Sequence, residues 1–308
     1  MNRESKVLII HHNDLDGYGC AVILRAFFKN SRNYPASFYD IDQKLQDIEY
    51  DNYEYVFVVD VHPTKVDFLD LSDKIILIDH HPSTYGNVKK NRYVVSNKKK
   101  CATYLVWHYL KKTFPENKFD FFKNFVYCVN EFDEWTNRTP KGKCLNELLY
   151  GPYGADKAQF ITRFKKGNTR FTTEELDFVK KRREDFKKIY KDLDIWELEK
   201  TNSCFVMSDD FVNDLAHKLM HEDGYDVAFI KQIKKDRVSV RTKSDIIDTG
   251  KILESLGYGG GHAKASGFFE NDPIKLKEKI LRIEQEILKI TSCQGSQKIA
   301  YSIGKDFL

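Results

Sequence analysis

Three short apolar runs punctuate the first eighty residues: Val7-Leu8-Ile9-Ile10, Val56-Phe57-Val58-Val59 and Ile75-Ile76-Leu77-Ile78. Each is bounded by polar residues, and helical patterns lie between them, clearest over residues 19–29. Continuous β-branched runs of this length, without polar alternation, mark strands buried on both faces. Buried strands alternating with helices predict a parallel sheet, so residues 1–150 read as a doubly wound α/β domain. Residues 104–110 predict a further helix packed in the core, with His108 inside it.

Gly151-Pro152-Tyr153-Gly154 is a chain breaker. Beyond it, the spacing of Phe178, Phe186, Ile189 and Leu193 predicts an amphipathic helix, and residues 151–202 read as a helical connector. The charge run Lys180-Lys181-Arg182-Arg183-Glu184-Asp185 on it reads as a solvated face. A second unit starts near Ser203. It has an apolar run over residues 227–230, a strand-like alternation in Val238-Ser239-Val240-Arg241, and a helix over residues 247–255. The glycine-rich residues 257–261 and then Gly267-Phe268-Phe269 follow. Residues 203–290 therefore predict a smaller mixed α/β domain closed by a helix over residues 274–288, with 291–308 as a tail.

Composition changes this picture little. The chain has 308 residues, 41% hydrophobic, which suffices for a sizeable core, and its 31% charged residues are mixed in sign. A net charge of +4 does not describe a duplex-DNA binder. Lys89-Lys90-Asn91-Arg92 and Lys98-Lys99-Lys100 are local basic patches that read equally as solvated loops. The six cysteines are scattered without a C-x-x-C pair, which speaks against a zinc ribbon or a disulfide framework and for free thiols in a reducing cytoplasm. No signal peptide or membrane span is legible, so a cytoplasmic location without a membrane partner is expected.

The candidate chemistry sits at the ends of the three runs. The first leads into His11-His12-Asn13-Asp14-Leu15-Asp16-Gly17, the second ends in Asp60, and the third in Asp79-His80-His81. In an open parallel sheet, sites form outside the carboxyl ends of the strands. Any one of these motifs alone is a turn or a helix cap. Three acid-tipped strands together would crowd at least four carboxylates and several imidazoles into one crevice. Divalent cations relieve such crowding, and mixed oxygen and imidazole ligands suit manganese, magnesium, zinc or iron.

Taken in order, His12-Asn13-Asp14-Leu15-Asp16-Gly17, Asp60, Asp79-His80-His81 and Asp133-Glu134-Trp135 resemble the four motifs of the DHH phosphoesterase superfamily. Gly259-Gly260-Gly261-His262 with Ala265-Ser266-Gly267-Phe268 resembles the signature of the DHHA1 domain that accompanies it. The resemblance spans about residues 6–290, and the first motif is most similar to that of the nano-RNase B branch of oligoribonucleases. It implies that His12, Asp14, Asp16, Asp60, His80 and Asp133 hold two divalent ions, manganese first and magnesium second, with Asp60 bridging. It implies that His81 contacts the substrate phosphate and that Asp79 orients the imidazoles beside it. The histidine of the first motif stands two residues before Asp14 rather than four, which leaves His11 as the alternative to His12. Arg241, Gly259, Gly260, Gly261 and His262 are implied to bind substrate, the glycines by letting backbone N–H groups approach an anion.

These residues predict two-metal hydrolysis of a phosphodiester in the cleft between the two domains. Trp135 is a candidate platform for a base, and His62 reads as a loop histidine. Short single-stranded RNA or DNA, or small nucleotides, are the expected partners, and the first expectation is an exonuclease releasing nucleoside monophosphates. The alternatives are a 3′-phosphoadenosine 5′-phosphate phosphatase, a RecJ-like single-strand DNA exonuclease and a catalytically silent binding module. A homodimer is compatible with all of them.

Overall fold

In the computed structural model, strands Val7–His12 (β1), Ser31–Ala36 (β2), Tyr55–Val59 (β3) and Ile75–Ile78 (β4) form a sheet in the order β2-β1-β3-β4. Every neighbouring pair is parallel. The structure describes residues 1–63, 65–81, 100–134, 136 and 139–303. Alternate residues of the central strand serve opposite faces, as a pleated strand requires. Val7 and Ile9 join one core with helices Leu15–Phe27 (α1), Ala102–Thr113 (α3) and Lys123–Asp133 (α4). Leu8 and Ile10 join the other with Ile41 and Leu45 of the helix Ile41–Gln46 (α2). Both faces are thus dry, which is why the runs show no polar alternation.

β2 carries no apolar run. Its sequence is Ser-Arg-Asn-Tyr-Pro-Ala and its burial alternates, because it is the edge strand, where Pro35 is tolerated. α1 begins at Leu15, four residues before the helical pattern starts, because Asp14 caps it: its side chain accepts from the Gly17 N–H at 3.1 Å. Placing β2 and β3 on opposite sides of β1 creates a switch point at the C-terminal ends of β1 and β3.

The first compact unit extends to Arg182 and the second runs from Arg183 to Leu308. Helices Lys141–Tyr150 (α5) and Lys157–Phe164 (α6) continue the first unit, where Phe160, Ile161 and Phe164 are buried in its core. The boundary falls within the helix Thr173–Lys191 (α7), the amphipathic helix expected from Phe178 and Phe186.

The second unit is a six-stranded sheet in the order β5-β6-β7-β8-β10-β9. Its strands are Trp196–Glu197 (β5), Ser203–Met207 (β6), Val227–Gln232 (β7), Arg237–Thr242 (β8), Gly259–His262 (β9) and Ala265–Phe269 (β10). Only β6 and β7 pair in parallel. Helix Val212–His221 (α8) covers one face; Thr249–Ser255 (α9) and Pro273–Ile303 (α10) cover the other. α10 runs well past residue 288, through much of the segment expected to be a tail. Among the described residues, no helix is long and apolar enough to cross a membrane.

Candidate metal centre

Six side chains from the first unit converge at the carboxyl edge of its sheet. His12 ends β1, Asp14 caps α1, and Asp16 lies in the first turn of α1. Asp60 follows β3, His80 follows β4, and Asp133 ends α4. They fall into two groups whose ligand atoms lie within 4.8 Å of one another: His12, Asp14 and Asp60, and Asp16, His80 and Asp133. Asp60 reaches both. Its Oδ2 is 3.8 Å from His12 Nδ1 and its Oδ1 is 3.4 Å from His80 Nε2. The same His80 nitrogen lies 3.8 Å from Asp16 Oδ2 and 3.7 Å from Asp133 Oδ2. Behind this cluster, buried Asp79 accepts from two imidazoles, His81 Nδ1 at 2.7 Å and His62 Nδ1 at 3.0 Å. Phe38 packs against His12, His62 and His81 with ring centroids 5.2, 5.4 and 5.3 Å apart.

The local backbone explains why these groups meet. Asp60 adopts φ +60°, a left-handed conformation that Asp tolerates better than most residues, and it turns the chain at the end of β3. Asp16 is held by the N-terminus of α3, accepting the Ala102 N–H at 2.6 Å and the Thr103 N–H at 2.8 Å. The Thr103 hydroxyl in turn donates to the Asp16 carbonyl oxygen at 2.7 Å. A buried carboxylate at a helix N-terminus is favoured by the orphan donors and by the helix dipole.

The electrostatics are those of a cation site. Burial, then the charges of Asp16 and Asp14, push the Asp60 carboxyl well above the usual range. Burial, then Asp16 and Asp14 again, do the same to Asp133. Burial also acts to raise Asp14, but His12, donating to it at 2.6 Å, and the Gly17 N–H hold it well below the usual range. Buried Asp60 Oδ2 has no hydrogen-bond partner among the described residues. Crowded carboxylates, two imidazoles and an orphaned oxygen between two ligand groups fit a pair of divalent cations.

Residues 6–130 match the family model described as DHH family, N-terminal domain. Over this segment, which holds the four-stranded parallel sheet, the chain is similar to DHH-family proteins. It is 26% identical over 304 residues to oligoribonuclease NrnB of Bacillus subtilis (strain 168), an alignment covering 85% of this chain and 72% of that protein. Two solved structures share its fold. The pGpG-specific phosphodiesterase PggH from Vibrio cholerae gives a TM-score of 0.56 at 15% identity, covering 91% of this chain and 99% of that one. RecJ from Thermus thermophilus in complex with Mn2+ gives 0.54 at 14% identity, covering 92% and 52%.

At the end of β1, His11 and His12 point apart. His11 is buried, donates from Nδ1 to the His12 carbonyl oxygen at 2.8 Å and packs edge-on against Tyr18. Burial pulls its pKa down to about 4. His12 is the one that faces the carboxylates. His108 is exposed on α3 and stacks on Tyr104, so it is the rest of that helix, not His108, that packs in the core.

In the second unit, the glycine run is a strand rather than a loop. β9 and β10 form a hairpin that pairs Gly259 with Phe268 and Gly261 with Ser266. A Cβ on Gly259 would overlap the Gly267 carbonyl oxygen, and Gly261 has φ +142°, so close strand approach already demands these glycines. Gly260 faces Glu254. Arg241, on β8, donates from Nη1 to the Val240 and Ser266 carbonyl oxygens, each at 3.2 Å. Trp135, the His262 side chain and residues 89–92, 98 and 99 lie outside what is described.

Sequence reasoning misses two neighbours of the centre. His62 reads as a loop residue, and its shared bond to Asp79 has no local signal, since it joins the ends of β3 and β4. Glu134 places Oε1 3.8 Å from His80 Nδ1, and its position beside Asp133 is the available hint.

Proposed function

We propose that this chain hydrolyses phosphodiester bonds of short single-stranded oligonucleotides, releasing nucleoside monophosphates. The observation that carries the reading is Asp60, which faces both ligand groups through its two oxygens. In this reading His12, Asp14 and Asp60 hold one divalent ion, and Asp16, His80, Asp133 and Asp60 the other, with manganese preferred over magnesium. When bound, the ions supply Lewis-acid charge neutralisation at the phosphate and acidify an attacking water. The chain's own groups do the rest. Asp79 fixes the His81 ring through Nδ1, which leaves Nε2 to donate to a phosphate oxygen when the ring is protonated. Burial acts to lower the His81 pKa, but Asp79, as bonded partner and as charge, raises it above the ordinary histidine value and favours that form.

Similarity to oligoribonuclease NrnB supports RNA oligomers as the substrate class. Arg241 and His262 are the proposed substrate contacts of the second unit, and Trp135 a proposed base platform. The test is a product ladder with end-labelled RNA and DNA from dimers to twenty-mers in the presence of manganese. A trimer is expected to be cleaved with higher kcat/KM than a twenty-mer, and Arg241→Ala is expected to raise KM for the trimer without loss of bound metal. Equal or faster cleavage of the twenty-mer overturns the short-substrate reading, and no cleavage of any oligomer overturns the nuclease reading.

A further inference from the structure

Lys157, the first residue of α6, sits beside the loop between β1 and α1, in a setting the hydrolytic centre does not explain. Its Nζ donates to Asn13 Oδ1 at 2.8 Å. It lies 4.4 Å from the centre of the Tyr150 ring and 5.1 Å from that of Tyr18. The Tyr150 hydroxyl donates to the Asn13 carbonyl oxygen at 2.9 Å, so the same asparagine ties ring and ammonium together. Asn13 stands between His12 and Asp14 in the chain.

These partners hold the charge without neutralising it. Asn13 accepts one of the three N–H groups of the ammonium, and the ring faces attract it through their quadrupoles. Among the described residues, no carboxylate forms a salt bridge with Lys157. The side chain is half-buried; burial lowers its pKa, while the charge of Asp14 raises it. Tyr150 feels the same centre, since burial and then Asp14 push its phenol up, with Asp60 contributing. Asn13 and Tyr150 are exposed, so an anion can reach the cluster from solvent. A fixed, incompletely compensated cation next to a hydrolytic centre that is itself acidic is suited to a phosphate other than the one being cleaved.

We propose that Lys157, positioned by Asn13 and Tyr150, is an anion subsite of the first unit that binds a second, non-scissile phosphate of the substrate. The proposal rests on the phosphodiesterase reading above and adds a substrate requirement to it. A charged hydrogen bond to phosphate makes a substrate that carries the extra group better by about tenfold or more in kcat/KM.

The experiment compares the dinucleotides pApA and ApA, which share the scissile bond and differ only in the terminal phosphate. Both are assayed with manganese on the full chain as wild type, Lys157→Met and Lys157→Arg. Lys157→Met keeps an apolar stem over the rings, and thermal melts verify that each variant is folded. The expected result is a wild-type preference for pApA that falls about tenfold in Lys157→Met and returns in Lys157→Arg. A ratio of pApA to ApA rates unchanged by Lys157→Met overturns the subsite and leaves Lys157 as a brace for the Asn13 loop. So does a wild type that cleaves the two equally. Cleavage of neither dinucleotide by the wild type removes the phosphodiesterase reading, and the subsite with it.

Discussion

His11 and Asp60 make opposite demands on pH. His11 stays neutral in the fold down to about pH 4, because burial penalises its charge, whereas the unfolded chain takes up that proton below about 6.5. The unfolded state therefore binds more protons between these values, and stability falls as pH drops through the window, by about 3 kcal/mol in full. Thermal melts of metal-free His11→Asn from pH 7 to 4 should show a shallower acid slope than wild type; an identical slope removes this assignment. Asp60 runs the other way. Its folded pKa is raised, so the folded state holds the extra proton and stability falls as pH rises above the unfolded carboxylate value. Asp60→Asn keeps a side chain that tolerates φ +60° and removes the repulsion. The metal-free variant should melt above wild type at pH 7, by a margin that narrows toward pH 4, while hydrolysis drops roughly a hundredfold or more. A lower metal-free melting temperature at pH 7 counts against stored repulsion.

At the scale of elements, two carboxylates of one cluster differ in what else they do. Asp16 terminates α3 by accepting two of its backbone N–H groups, and it is buried. Asp133 lies at the C-terminal end of α4, where the helix dipole disfavours a negative charge. Asp16→Ala should destabilise the metal-free protein by about 2–4 kcal/mol, leaving two donors unmet. Asp133→Ala should leave its stability unchanged or raised. Both should abolish hydrolysis. Denaturant titrations with equal losses in the two variants contradict the capping role of Asp16. Gly17 links two elements in another way: an added Cβ would overlap the backbone of His12. Gly17→Ala should push His12 off its carboxylates and weaken metal binding, measurable by isothermal titration with Mn2+, even though no ligand is replaced.

For the whole molecule, the candidate ligands all belong to one of two compact units. A cation that binds only the folded state stabilises it by RT ln(1 + [L]/Kd), about 2.7 kcal/mol at a hundredfold excess over Kd. Manganese should therefore raise the transition of Met1–Arg182 and leave that of Arg183–Leu308 in place. Calorimetry with and without a chelator reads this directly, and a shift confined to the second unit places the ions elsewhere.

The amino-acid sequence determined the strands β1, β3 and β4, because burial on both faces demands unbroken apolar runs that stand out locally. It also determined the candidate ligand types at their ends, because strand-end residues in a parallel sheet share one edge. Its resemblance to the DHH motifs joined Asp133, far along the chain, to the same set. What it left open was decided by contacts between residues distant in sequence. β2 exists because β1 offers it an edge, which the six residues Ser-Arg-Asn-Tyr-Pro-Ala, with no apolar run and a proline, do not announce. Pleat alternation separates His11 from His12: adjacent residues of β1 face opposite sides, so His12 Nδ1 lies 3.8 Å from Asp60 Oδ2 while His11 Nδ1 donates to the His12 carbonyl oxygen. Asp79 holds His62 as well as His81, Asp16 caps a helix that begins 86 residues later, and Lys157 reaches back 144 residues to Asn13. Such pairings have no period and no motif, since a hydrogen bond across the fold depends on where two backbones lie and not on which residues flank them.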